Sequence, residues 1–212
     1  MKLSKENNIL IAEALHLNKY KLNENEKIEK IAYHFAEIMD TLGLDLQDDS
    51  LKDSPHRVAK MYVNEIFSGL DPKNKPNIST FENKYGYKRM LVEKNITVFS
   101  NCEHHFVPII GKAHVAYIPH EKVIGLSKIN RIVQYYSKRP QVQERLTMEI
   151  TEGLKEILGH DDIAIVIEAE HLCVASRGIK DTNSLTVTSN FSGQFENENI
   201  QREFLSYIRG TL

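Results

Sequence analysis

The stretch GLSKINRIVQYYSKRPQVQERLTMEITEGLKEILG, residues 125–159, contains two helical patterns in succession and is the most informative segment for the fold. Apolar side chains recur in its first half at the spacing of one helix face, at Ile129, Ile132, Val133 and Tyr136. Pro140 interrupts this pattern and is expected to open a second helix, which ends at Gly159. The stretch therefore predicts two consecutive helices separated by a short break.

Runs with partial alternation and many β-branched residues stand on both sides of the helical pair. They are MLVEKNITVFS at 90–100, KAHVAYIP at 112–119, IAIVIEAEHLCVA at 163–175 and SLTVTSNF at 184–191. Each run has the length of a strand. The second part of the chain therefore predicts the element order β-β-α-α-β-β, with two hairpins around the helical pair.

The first seventy residues have a helical pattern instead. Within residues 25–43 the apolar side chains follow helical spacing, and Gly43 is a plausible stop. A second helix is expected to start with Ser54 as its N-cap and Pro55 in its first turn. Residues 1–24 predict a short helix or a loosely held arm. We therefore expect an N-terminal helical region over 1–75 and a second domain over 76–212.

Composition narrows the class of protein. The chain is 41% hydrophobic and 26% charged, with a net charge of −2 and only two cysteines. This composition is typical of a globular protein and provides no basic field for nucleic acid. Neither a disulfide framework, nor a signal peptide, nor an apolar run of roughly 20 residues is evident. We expect a cytoplasmic protein without nucleic-acid or membrane partners.

The stretch NCEHHF, residues 101–106, holds one of the two cysteines beside two histidines. Cys102 and His105 have the C-x-x-H spacing with which a tight turn can present two ligands to one metal. On a strand from residue 163, alternation places His171 and Cys173 on the same face. If that face meets the turn, both cysteines and several histidines converge.

Two thiolates and one imidazole favour zinc, and three protein ligands leave the fourth position to water. Zinc would lower the pKa of that water to about 7, and His104 and His171 would remain for proton transfer. Two other interpretations stay open at this point. Cys102 could be a nucleophile with a histidine as its base, or the cysteines could be buried apolar side chains.

Basic residues near the predicted helix starts form a candidate anion site. Ser127 is expected to cap its helix with Lys128 in the first turn, where free backbone N–H groups favour phosphate. Further positive charges that could join such a site are Arg131, Arg177, Arg57 and Lys60. The alternative for each of them is a solvated basic surface.

Gln143 and Glu144 are neighbours in QVQERLT, residues 141–147. A glutamate can accept two N–H bonds from the Watson–Crick edge of guanine, while a neighbouring glutamine reads the carbonyl. Both residue types are also common on helix surfaces, so a solvated helix surface is the alternative interpretation of this pair.

Taken together, these segments resemble the GTP cyclohydrolase I family from about residue 54 to 209. The resemblance rests on SPHRVAKMYVNEIFSGL, CEHHFVPIIGKAHVAYIP, VIGLSKINRIVQYYSKRPQVQERLT, EAEHLCVASRGI and NFSGQF. It implies an α+β tunnelling fold, in which an antiparallel β-β-α-α-β-β unit follows an N-terminal helical region. It also implies a toroidal homodecamer with active sites between subunits.

The resemblance implies a role at each matching position. One Zn2+ per subunit would be bound by Cys102, His105 and Cys173, with His104 and His171 as the proton-transfer residues. The residues implied to bind GTP are Gln143 and Glu144 at the guanine, Ser127, Lys128, Arg131 and Arg177 at the ribose and triphosphate, and Arg57 and Lys60 from a neighbouring subunit.

The implied reaction begins with hydrolytic opening of the GTP imidazole ring at C8 and release of formate. Rearrangement and ring closure then give 7,8-dihydroneopterin triphosphate, the first step of folate and pterin biosynthesis. The alternatives are a non-catalytic GTP-binding regulatory ring, another tunnelling-fold enzyme acting on a pterin or purine, and a structural zinc module. Iron could also occupy this ligand set.

Overall fold

The computed structural model describes residues 22–210. The arm or short helix expected over residues 1–24 lies almost wholly outside the described part. The chain divides into two compact units, of which the first ends at Leu70 and the second begins at Asp71. No helix among residues 22–210 combines the length and the apolar character needed to cross a lipid bilayer.

The first unit is helical, as expected. Helix α1 (Glu24–Thr41) begins with a capping box in which Asn23 and Glu26 bond each other's backbone N–H groups. Beyond its end, Gly43 adopts a positive φ of 79°, a left-handed conformation that suits glycine.

Helix α2 (Ser54–Met61) packs against α1 and continues into one π-helical turn, Tyr62–Ile66. The predicted N-cap at Ser54 is wrong by one residue, because Asp53 occupies that position and Ser54 is already helical. Pro55 lies in the first turn as predicted, where its missing N–H group is not needed.

The second unit contains the sheet and the helical pair. Its strands are β1 (Thr80–Glu82), β2 (Leu91–Cys102), β3 (Pro108–Tyr117), β4 (Lys122–Ile124), β5 (Pro140–Gln141), β6 (Ile163–His171) and β7 (Thr186–Phe191). Its helices are α3 (Leu126–Ser137), α4 (Gln143–Leu158), α5 (Leu172–Ala175) and α6 (Glu198–Arg209). The main sheet has the order β5-β2-β3-β6-β7, and β1 pairs separately with β4. The long elements confirm the predicted β-β-α-α-β-β order.

Both faces of the main sheet are covered, which explains the apolar run in β6. Ile163, Ile165 and Ile167 face the core formed with α3 and α4. The intervening Ala164 and Val166 pack with Phe195 and Phe204, which follow β7. A strand buried on both sides needs apolar residues at successive positions, so its sequence shows little alternation.

The structure corrects the sequence analysis at three points in this unit. Pro140 does not open a helix but begins the two-residue strand β5, and α4 starts at Gln143. Ser127 is not an N-cap, because Gly125 holds that position and Ser127 lies in the first turn of α3. The strand from residue 163 ends at His171, so Cys173 lies on the single-turn helix α5.

Candidate metal centre and active site

The Cys-His-His stretch forms a tight turn between β2 and β3. Phe106 N donates to Cys102 O at 2.8 Å, and Cys102 N donates to Val107 O at 2.9 Å. Phe106 closes the turn with a φ of 56°, a region that bulky residues rarely adopt. The turn buries Cys102 and leaves His104 and His105 exposed.

Cys173 reaches this turn through the sheet register. Ile109, near the start of β3, pairs with His171 at the end of β6. The chain then turns into α5 and brings Cys173 beside Cys102. One ligand atom from each of Cys102, His105 and Cys173 lies within 4.8 Å of the other two. The structure therefore brings the three predicted metal ligands together, although by a helical turn rather than by strand alternation.

The chemistry of this donor set fits zinc. Two sulfur atoms and one imidazole nitrogen are the ligands that zinc binds in tetrahedral sites. Burial, and next the neighbouring Cys102 thiol, raise the pKa of Cys173. Two adjacent thiols resist joint ionisation, and a bound cation removes that resistance by stabilising both thiolates.

Arg177 lies next to the third ligand. Its Nη1 atom is 2.9 Å from His105 Nε2. A guanidinium group only donates hydrogen bonds, so His105 Nε2 accepts and its lone pair faces Arg177. A cation bound at this nitrogen would replace Arg177, since one lone pair serves one partner.

His104 stands beside the ligands without belonging to the three. Its Nδ1 atom lies 3.6 Å from Cys102 Sγ, and its side chain is 63% exposed. The exposed imidazole is thus held near the candidate metal site while remaining open to a substrate.

His171 is oriented by Gln143. Gln143 Nε2 donates to two backbone carbonyls, Ile167 O and Thr186 O, each at 3.0 Å. This arrangement turns Gln143 Oε1 toward His171 Nε2, at 2.8 Å. Because Oε1 can only accept, His171 Nε2 carries hydrogen and Nδ1 is the nitrogen that can gain or lose a proton. Burial lowers the pKa of His171, and the nearby Glu144 carboxylate partly opposes this effect.

The two residues predicted to hold guanine differ in their surroundings. The side chain of Gln143 is buried and its amide is bonded within the chain, so its contact with His171 leaves it closed to a ligand. Glu144 is exposed at the start of α4. The two side chains therefore differ in how open they are to a ligand, and the guanine contact stays a prediction.

The predicted anion-binding residues lie on separate elements. Ser127, Lys128 and Arg131 lie in the first turns of α3. Within residues 22–210, neither Lys128 nor Arg131 forms an ion pair with a carboxylate. Arg57 and Lys60 are exposed on α2 of the first unit, where Arg57 lies 3.5 Å from Asp53.

A second group of ligand-type side chains was not predicted from the sequence. His120, His160 and Asp162 also place one ligand atom each within 4.8 Å of the others. His120 Nε2 lies 2.6 Å from Asp162 Oδ2, and the two imidazole rings stack at 4.2 Å. Gln194 donates to Asp162 from both its backbone N and its side chain. These residues stand in two loops, far apart in sequence, and no spacing rule connects them.

Comparison with known proteins identifies the family. The family model described as GTP cyclohydrolase I matches residues 31–209. The chain belongs to the GTP cyclohydrolase I family. It is 61% identical, over 90% of its length and 85% of the relative, to the GTP cyclohydrolase 1 of Flavobacterium johnsoniae. It is 54% identical, over 89% of its length and 87% of the relative, to the GTP cyclohydrolase 1 of Aeromonas salmonicida.

A solved structure titled archaeosine synthase QueF-Like, in the apo form, covers 49% of this chain and 93% of its own. Its TM-score is 0.40 and its identity is 16%. A likeness of this size carries no argument about function, so the assignment to the GTP cyclohydrolase I family rests on the sequence matches.

Proposed function

We propose that this chain is a zinc-dependent GTP cyclohydrolase I. It opens the imidazole ring of GTP at C8 by hydrolysis, releases formate and forms 7,8-dihydroneopterin triphosphate. The observation that carries the proposal is the convergence of Cys102, His105 and Cys173 within 4.8 Å, in a chain of this family. We assign the catalytic domain to residues 76–212 and the helical region to 1–75.

Cys102, His105 and Cys173 would hold the metal. When bound, zinc acts as a Lewis acid and lowers the pKa of its water to about 7, which makes hydrolysis possible at neutral pH. Cys102 is buried, whereas His105 is exposed, so the site has a protected side and an open side. This arrangement suits a catalytic site that must admit a substrate.

The two histidines would move protons. His171 holds its Nε2 hydrogen on Gln143, so its Nδ1 atom is the one to exchange a proton with the ring under attack. His104 turns Nδ1 toward Cys102 and would reach the substrate through Nε2, which lies 3.9 Å from Glu103 Oε1 on an exposed side chain. Two imidazoles beside one reacting centre allow one to donate while the other accepts.

The remaining residues would bind GTP. The Glu144 carboxylate accepts N–H groups of the guanine, and Ser127, Lys128 and Arg131 bind the ribose and triphosphate. Arg177, which lies beside His105, would add a further positive charge for the triphosphate. The triphosphate is retained in the product, so these charges act as a clamp that orients the nucleotide.

We also propose the assembly and setting of the family for this chain. Ten copies would form a toroidal ring, with Arg57 and Lys60 completing the active site of a neighbouring subunit. The product would feed folate or pterin synthesis in the cytoplasm.

Purified, zinc-loaded protein incubated with GTP tests the proposal. Oxidation of the product and detection of neopterin fluorescence are run in parallel with a formate assay. We expect both products in equal amounts, and neither after chelation of the metal. GTP that is bound but unchanged by zinc-loaded protein would contradict the proposal and indicate a non-catalytic homologue.

A further inference from the structure

Arg145 on α4 makes three hydrogen bonds in three directions. Its Nε atom donates to Gln141 Oε1 at 2.9 Å, and its Nη2 atom donates to Pro140 O at 2.7 Å. Nη2 also donates to Glu103 Oε2 at 2.5 Å. The side chain is only 16% exposed. Only the guanidinium fork can serve these acceptors together, because a lysine ammonium is a single charged point.

Glu103 links Arg145 to the metal-binding turn. It stands between Cys102 and His104, and its own N–H group donates to Gln141 O at 3.0 Å. Its other carboxylate oxygen, Oε1, lies 3.9 Å from His104 Nε2. The turn is thus tied to residue 141 by its backbone and to Arg145 by a side chain.

The far side of Arg145 is anchored in the core. Gln141 is fully buried and donates from Nε2 to Glu149 Oε2 at 2.7 Å. The buried Glu149 also pairs with Arg139, with Nη1 at 3.1 Å from Oε1. A network of buried, mutually bonded polar groups has little freedom to move. It can therefore fix the position of a group at its edge.

The turn itself needs such an anchor. Phe106 closes it in the left-handed region, and a bulky residue stays there only when its surroundings hold it. The ligand atoms of a metal site must also be placed to within a fraction of an ångström. Groups outside the ligands usually provide this placement.

We propose that Arg145 is a positioning residue for the metal centre. Through Glu103 it holds the turn at 102–106 so that Cys102 and His105 meet Cys173. The effect on metal affinity stands on the geometry alone, whereas the effect on turnover rests on the proposed function.

Arg145→Met, Arg145→Lys and Glu103→Gln test this role, with Lys155→Met as the matched control. Lys155 lies on the same helix, is 18% exposed and pairs with Glu152 and Asp161 instead of the turn. Three quantities are measured for each full-length variant: the zinc dissociation constant by chelator competition, hydrogen exchange of the Glu103 and Phe106 amides without metal, and kcat and KM with GTP.

We expect Arg145→Met to raise the zinc dissociation constant about 10- to 100-fold. This is the usual effect of removing a group that orients the metal ligands without binding the metal itself. The two turn amides exchange faster, and kcat falls more than KM changes. Arg145→Lys is intermediate, since it keeps the charge and loses the fork. Lys155→Met matches wild type in all three quantities.

Wild-type zinc affinity and amide exchange in Arg145→Met would overturn the proposal. If that variant does not fold, Glu103→Gln decides, because it removes the carboxylate charge that pairs with Arg145 on a partly exposed side chain and leaves the buried network intact. Wild-type zinc affinity and amide exchange in Glu103→Gln would then overturn the proposal. A wild-type protein that releases no formate from GTP contradicts the proposed function. The zinc and exchange measurements would still decide the role of Arg145.

Discussion

Two groups of side chains among the described residues contain residue types that can bind a metal. They differ in the hydrogen bonds and neighbours of their ligand-type atoms. In the group of His120, His160 and Asp162, the carboxylate accepts hydrogen bonds from His120 and Gln194. In the group of Cys102, His105 and Cys173, two thiols lie side by side, and burial, followed by the neighbouring Cys102 thiol, raises the pKa of Cys173.

Proximity of ligand-type residues therefore does not by itself define a metal site. In the histidine–aspartate group, the Asp162 carboxylate already has donors within the chain, so this contact is stable without a metal. Among the described residues, His160 Nε2 is buried without a hydrogen-bond partner. The cysteine group is completed by a cation, which stabilises both thiolates together. We therefore expect one metal ion per chain, bound by the cysteine group.

The largest effect is expected from removing one thiol. Cys102→Ser or Cys173→Ser should reduce bound zinc from one per chain to almost none, because a hydroxyl is a poor ligand for zinc. Turnover of GTP should fall by more than about 100-fold, which is more than the loss of a group that only orients a metal ligand would cause. Elemental analysis and formate release measure the two effects.

Asp162→Asn serves as the control for the cysteine variants, since it alters the other group and should keep its zinc. Full zinc content in either cysteine variant, or loss of zinc in Asp162→Asn, would break the distinction between the groups.

Two histidines with exposed side chains can be compared directly, because His104 lies beside the cysteine group and His120 belongs to the histidine–aspartate group. His104→Ala should keep zinc and lower kcat about 10²- to 10⁴-fold, the usual contribution of a general acid or base. His120→Ala removes a histidine with a 48% exposed side chain from the second group and should leave kcat within about twofold. Steady-state kinetics with GTP on both variants, with zinc content checked first, gives the answer. Equal loss of turnover in both would remove the catalytic role of His104.

The second group should contribute to stability instead. Asp162→Ala leaves the Gln194 amide and His120 without their shared acceptor, at a cost of about 1–3 kcal/mol in the free energy of unfolding. Urea unfolding measures this cost. The neighbouring Asp161→Ala is the matched control, because Asp161 is 75% exposed and pairs only at the surface with Lys155. An unchanged unfolding midpoint in Asp162→Ala would contradict the structural role.

The smallest expected effect is a dependence of stability on pH. Burial, and next the neighbouring His120, lower the pKa of His160 in the folded protein. Below the unfolded pKa of about 6.5, the unfolded chain therefore binds the proton more readily, and stability falls as the pH decreases. Denaturant unfolding at about pH 7.5 and about pH 5.5 should show a smaller loss in His160→Gln than in wild type. An identical loss in the two proteins would rule out His160 as a source.

Some elements of the fold could be predicted from the sequence, and others could not. The helical pair was predictable, because Ile129, Ile132 and Val133 repeat at helical spacing and are fully buried in the structure. Gly159 ends α4 with a φ of 76°, as its position predicts. The helix α6 was missed, although its Phe204 side chain is fully buried.

The sequence predicts the wrong secondary structure or burial for some residues, because a contact with a distant segment overrides the local preference. Pro140 suits a helix start, but pairing with Asn101 in β2 makes it a strand residue. Alternation predicted that Cys173 continues β6, whereas the chain turns into α5 after His171. Glutamine is a residue type common on protein surfaces. The side chain of Gln143 is nevertheless buried, because its Nε2 atom donates hydrogen bonds to the backbone carbonyls of Ile167 and Thr186.

The residue types of the site, the order of the main elements and the resemblance to the family can all be read from the amino-acid sequence. Helical periodicity and ligand chemistry are properties of nearby residues, so they can be read along the chain. Three contacts are visible only in the folded protein: Cys173 lies beside Cys102, Gln143 orients His171, and Arg145 bonds Glu103. These contacts depend on strand register and burial, which arise when distant segments pack together.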